Sequence, residues 1–124
     1  MGPPLKEYLE VVQAVDGRIL VDDAHAMAVL GDTGRGSPQA QGVGSECLYQ
    51  TGTLSKGFGA AGGLIPADGP LLHRIRERSP AFIGCTGLAL PLAAASIESM
   101  AHLAANTHLI RDLQNALRGG DGAA

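Results

Sequence analysis

An α/β fold is predicted by three features of the sequence. A short apolar run, Arg18-Ile19-Leu20-Val21, ends in the acids Asp22 and Asp23, the pattern of a buried parallel strand whose carboxyl end presents functional groups. Further short apolar runs are separated from it by stretches rich in Gly, Pro, Ser and Thr. Helical periodicity fills the beginning of the chain and most of its second half.

Taken in order, Leu5, Leu9 and Val12, with Tyr8 and Val11 less regularly, predict a helix over 5–14 that Asp16-Gly17 breaks. The first strand follows at 18–21. Residues 31–44, including Gly31-Asp32-Thr33-Gly34-Arg35-Gly36-Ser37-Pro38, read as an ordered loop. A second strand is expected over Cys47 to Thr51 and a short third over Gly62 to Pro66. Pro70 to Arg78 reads as a basic amphipathic helix ended by the Pro80 region, and Ala81 to Cys85 as a fourth strand. Leu88 to Leu117 is Ala-rich, with Leu92, Ile97, Met100, Leu103, Leu109 and Leu113 and with Pro91 suited to a first turn, and predicts one long helix or a pair. The stretch 119–124 has no apolar pattern and is expected to fray as a disordered tail, leaving 1–118 as one domain without internal repeats.

Composition narrows the function. The chain has 124 residues, 45% of them hydrophobic, and a formal net charge of −3, enough for one globular core. Lys and Arg total 9 against 12 acids, and the mixed run His73 to Arg78 reads as a solvated helix face, so a nucleic-acid partner is not expected. Cys47 and Cys85 have no second Cys or His at ligand spacing, which argues against a zinc module and for a reducing compartment, the cytoplasm. The N-terminus lacks an apolar h-region and no apolar run approaches the roughly 18 residues of a membrane span.

The residues that carry chemistry are Asp22-Asp23-Ala24-His25 and Thr53-Leu54-Ser55-Lys56-Gly57. A pyridoxal phosphate site needs a lysine for a Schiff base, a carboxylate on the pyridine nitrogen, a partner for the phenolic oxygen and hydroxyl or backbone groups on the phosphate. The two segments offer one candidate for each. Lysines are usually solvated, so it is the hydroxyls and glycines around Lys56 that single it out. Gly57 to Gly62 matches G-x-G-x-x-G, yet Gly63 and Pro66 follow where a dinucleotide fingerprint needs a helix. Asp22 to His25 echoes the acidic box of helicases, but the chain has no G-x-x-x-x-G-K-[ST] loop. A metal site on His25 finds no partner, since His73, His102 and His108 lack ligand spacing.

Val21 to His25, Gly31 to Ser37 and Thr51 to Ala60, in that order and at family-like spacing, resemble the pyridoxal-phosphate-dependent α-oxoamine synthases. That group includes glycine C-acetyltransferase, 8-amino-7-oxononanoate synthase, aminolevulinate synthase and serine palmitoyltransferase. The resemblance runs from Pro4-Leu5 through the helix after Pro91. It implies a partial large domain of the aspartate-aminotransferase (type I PLP) fold. It also implies that Lys56 is the Schiff-base lysine, that Asp22 partners the pyridinium nitrogen, that His25 meets the phenolic oxygen and that Ala24 packs on the ring. Thr53 resembles the phosphate-contacting hydroxyl, and Thr86 stands where the family reaches the neighbouring subunit's cofactor phosphate, although Gly84 and Cys85 depart from the usual aromatic and hydroxyl residues.

By the same resemblance the intact enzyme is a cytoplasmic homodimer that condenses an amino acid with an acyl-CoA. The family's subunit is several times longer, and its missing parts supply the stacking aromatic, a phosphate turn, most of the acyl-CoA site and the carboxylate-binding arginine. This chain is therefore expected to be a central fragment, inactive by itself. The alternatives are an aminotransferase of the same fold and a non-catalytic remnant.

Overall fold

The computed structural model describes residues 2–120. Helix α1 (Leu5–Gln13) leads through an Asp16-Gly17 turn to strand β1 (Ile19–Asp22), and the chain crosses over through the short α2 (Ser37–Ala40) to β2 (Leu48–Thr53). Strand β3 (Gly63–Leu64) turns back along β2, and α3 (Gly69–Arg78), α4 (Pro80–Ile83), α5 (Leu90–Ala105) and α6 (His108–Gly120) follow. The sheet order is β1-β2-β3. β1 and β2 are parallel, with Asp22 opposite Thr51, and β2 and β3 are antiparallel, with Thr53 opposite Gly63.

The core is small. Leu5 of α1 packs on Val21 and Leu48, one from each parallel strand, with Ile19 and Val43 at its margin. Further buried residues lie outside it: Ala26, Met27 and Ala28 after β1, Leu54 after β2 and Ile110 of α6. Helix α6 is fastened to the first crossover by side chains: a Cβ at Gly34 would lie 2.6 Å from Ile110 Cδ1, and Gln114 Nε2 donates to Val29 O at 2.7 Å and Gly31 O at 3.1 Å.

Three expectations are corrected, and one left open between two forms is decided. Residues 31–44 hold α2, started by Pro38 just after a Gly36 whose φ of 90° only glycine adopts easily. Residues 81–85 are not a strand: Ser79 Oγ accepts from Phe82 N at 3.3 Å, and Pro80 at the first helical position turns Pro80–Ile83 into α4. Of the two forms expected for residues 88–117 the pair of helices is found, broken at Asn106, whose Nδ2 donates back to His102 O at 2.9 Å. Gly119 and Gly120 continue α6, while 121–124 of the expected tail lie outside the described residues.

Candidate active site

The parallel register sets the site. Pairing Asp22 with Thr51 brings the carboxyl ends of β1 and β2 side by side, so the segments that follow each strand meet. After β1 the chain coils into a tight turn, in which Asp23 O accepts from Ala26 N at 3.0 Å and Met27 N at 3.1 Å. After β2 a loop closes on itself, with Leu54 N donating to Gly62 O at 2.9 Å and Ala60 N to Leu54 O at 2.8 Å. Glycines let turn and loop nest: a Cβ at Gly57 would stand 2.6 Å from Met27 O, and one at Gly52 would overlap the Met27 sulfur.

Lys56 and His25, 31 positions apart, come together in this way, with Lys56 Nζ 3.5 Å from His25 Nδ1 and both residues exposed. One nitrogen of that pair must present a lone pair to a hydrogen on the other. Asp22 ends β1 on its exposed face, and its Oδ1 accepts from Ala24 N at 3.2 Å, an Asx turn that leaves the remaining carboxylate lone pairs outward. Ala24 is half-buried between Asp22 and His25.

Thr53 is placed inside the lysine loop. Its Oγ1 donates to Gly62 O at 3.1 Å and accepts from Ser55 N at 3.2 Å, so its hydrogen serves the loop. Thr86 lies exposed between α4 and α5, and among the described residues its side chain has no hydrogen bond with the other candidates. The loop is backed by α5: Ser96 Oγ is within 3.3 Å of Ala61 O, and Ser99 Oγ donates to Phe58 O.

Sequence reasoning missed a buried network beside these residues. Asp23 is 3% exposed, and its carboxylate accepts from Ser37 N, Ser37 Oγ and Gln50 Nε2 at 2.8, 2.5 and 2.7 Å. Its only trace in the sequence is the parity of a strand, which sends neighbouring residues to opposite faces. At the other end of β1, Arg18 Nη1 stands 3.4 Å from Cys47 Sγ, and Cys47, then Tyr49, raise the guanidinium above its ordinary value. That cluster is remote from Lys56. So is an open groove of about 770 Å³ between β2 and α3, lined by Leu48, Tyr49, Pro66, Pro70, Leu71 and Arg74.

A donor set of lysine, histidine and a free carboxylate suits an aromatic aldehyde cofactor with a ring nitrogen and a phenolic oxygen. Comparison with known proteins agrees. The model of the family described as aminotransferase class I and II matches residues 2–120. A Desulforudis audaxviator protein named 8-amino-7-oxononanoate synthase is 34% identical over 94% of this chain and 30% of its own length. A Gloeobacter violaceus protein of the same name is 43% identical over 69% of this chain and 22% of its own. A structure of serine palmitoyltransferase with pyridoxal phosphate, 31% identical, superposes with a TM-score of 0.83 over 97% of this chain and 31% of that one. The Sphingomonas wittichii enzyme gives 0.73 at 30% identity over 81% of this chain and 25% of its own. The chain spans 26% and 30% of the length of two such curated relatives. From motif, fold and match together, the chain belongs to the class I and II aminotransferase family of pyridoxal phosphate enzymes, on its α-oxoamine-synthase side.

Proposed function

We propose that this chain carries the lysine-bearing part of the pyridoxal phosphate site of an acyltransferase that joins an amino acid to an acyl-CoA. The observation that carries the reading is the approach of Lys56 to His25, three residues after Asp22, beyond the ends of two parallel strands. When bound, the cofactor supplies an electron sink for carbanion chemistry at the amino acid Cα.

The residues of the chain do the rest. Asp22, with lone pairs free, holds a proton on the ring nitrogen and so keeps the ring cationic. His25, next to the lysine amine, offers a hydrogen to the phenolic oxygen, and the half-buried Ala24 presents a small apolar surface to the ring. Lys56 provides the amine that attaches the cofactor and, once displaced by substrate, moves the proton at Cα. Thr53 firms the lysine loop, and its hydroxyl meets the phosphate by turning its hydrogen away from Gly62 O. Thr86 is proposed as the contact to the partner subunit's cofactor phosphate in a homodimer. The names of the relatives favour acyl transfer over amino-group transfer.

In the full-length protein, pyridoxal phosphate is expected to give the absorbance of a protonated imine, and borohydride to fix the cofactor on Lys56. An amino acid with an acyl-CoA is then expected to release free CoA thiol. Fixation elsewhere sinks the role of Lys56. Amino-group exchange with an oxoacid and no thiol release establishes the aminotransferase instead.

A further inference from the structure

We infer that Asp23 is a positioning residue of this site, holding Asp22 and His25 in place through Ser37 and Gln50. The inference rests on the cofactor reading above. Asp22 and Asp23 are adjacent carboxylates with opposite surroundings: Asp22 is exposed with one bond from its own turn, while Asp23 is 3% exposed and fully engaged. Two other stretches of chain, the start of α2 and strand β2, converge on the Asp23 carboxylate with three bonds. Oδ2 accepts from Ser37 N at 2.8 Å and Gln50 Nε2 at 2.7 Å, and Oδ1 accepts from Ser37 Oγ at 2.5 Å.

The network is complete on its other members as well. The second hydrogen of Gln50 Nε2 goes to Arg35 O at 2.9 Å, and among the described residues no buried side-chain nitrogen or oxygen lacks a partner. The loop is shaped around the acid, since a Cβ at Gly36 would overlap Asp23 Oδ2. The backbone of Asp23 is tied too: its N–H donates to Thr51 O at 2.8 Å, and its carbonyl starts the turn that carries His25. Asp23 therefore fixes the chain direction between the two residues that face the cofactor. Such sites lose function when groups shift by about 1 Å.

The geometry also says what the acid must be. Asparagine can keep its oxygen at the Oδ2 place and put its amide at the Oδ1 place, where the Ser37 hydroxyl turns to accept. Alanine leaves the part-buried Ser37 N without its acceptor and Gln50 Nε2 with Arg35 O alone, and the turn is freed.

The test compares Asp23→Asn and Asp23→Ala in the full-length protein, by titrating the apoprotein with pyridoxal phosphate and by amide hydrogen exchange over 22–37 before cofactor is added. Asp23→Ala is expected to weaken cofactor binding roughly 10- to 100-fold and to speed exchange over that segment. Asp23→Asn is expected to stay within about three-fold of wild type on both. Wild-type affinity in a folded Asp23→Ala protein overturns the inference, as does an Asp23→Asn protein as weak as Asp23→Ala. If Asp23→Ala does not fold, Gln50→Ala removes one of the three bonds and is expected to give a smaller loss, and wild-type affinity there overturns the inference. A wild-type protein that takes up no pyridoxal phosphate is a different failure and sinks the functional reading itself.

Discussion

Lys56 is exposed, and among the described residues its side chain makes one polar contact, with His25, so Lys56→Ala removes the amine and little else. Stability should change by less than about 0.5 kcal/mol, while borohydride no longer fixes cofactor to the protein; retained fixation would count against the assignment. Asp22→Asn should still allow cofactor attachment in the full-length protein, but turnover should drop by roughly 10²-fold, because an amide does not hold the pyridine proton as a carboxylate does. Steady-state rates decide it. Gly57→Ala drives a methyl group toward Met27 O, 2.6 Å away, and Ala28 Cβ, 2.9 Å away. Overpacking there should lower stability by about 1–3 kcal/mol, read from thermal melts. Asp22, His25 and Lys56 could be nominated from the sequence because the proposed chemistry calls for those residue types, and the fold brings Lys56 to His25. Asp23, Ser37 and Gln50 were not, since a buried acid is identified by partners far along the chain.

At the level of elements, strand β1 and helix α1 were legible because their apolar periods are undisturbed, and β2 was found with its end extended from Thr51 to Thr53. The misread elements are short ones in which a cap overrides composition. Ala81-Phe82-Ile83 has a strand-like composition, yet Ser79 and Pro80 begin a helical turn before it. The break between α5 and α6 is likewise local, made by the Asn106 side chain bonding back to His102 O. Helix α5 offers a test of the lysine loop, because Ser96 and Ser99 reach Ala61 O and Phe58 O while Ser96 also serves Leu92 O at 2.8 Å. Replacing both with alanine should remove about 1 kcal/mol per bond and raise hydrogen exchange over 54–62 while leaving α5 helical. Unchanged exchange would mean that the loop holds its shape unaided.

Across the whole molecule, large apolar side chains stay in the open: Leu90 is 84% exposed, Leu20 67% and Ile97 61%, against a core built on Leu5, Val21 and Leu48. Leu20 sits on a parallel strand, an element usually covered on both faces. The isolated 124-residue chain should therefore self-associate, bind pyridoxal phosphate weakly and release no CoA thiol from acyl-CoA above a Lys56→Ala control. Sedimentation of a monomer, or thiol release above that control, would contradict this. The attachment of α6 has a mechanical meaning at the same scale. Ile110 in the Gly34 notch and Gln114 on Val29 O and Gly31 O make the last helix a handle on the crossover that carries His25. The last helix is thus tied by these contacts to residues 29–34, a stretch that begins four positions beyond His25, and not to the strands.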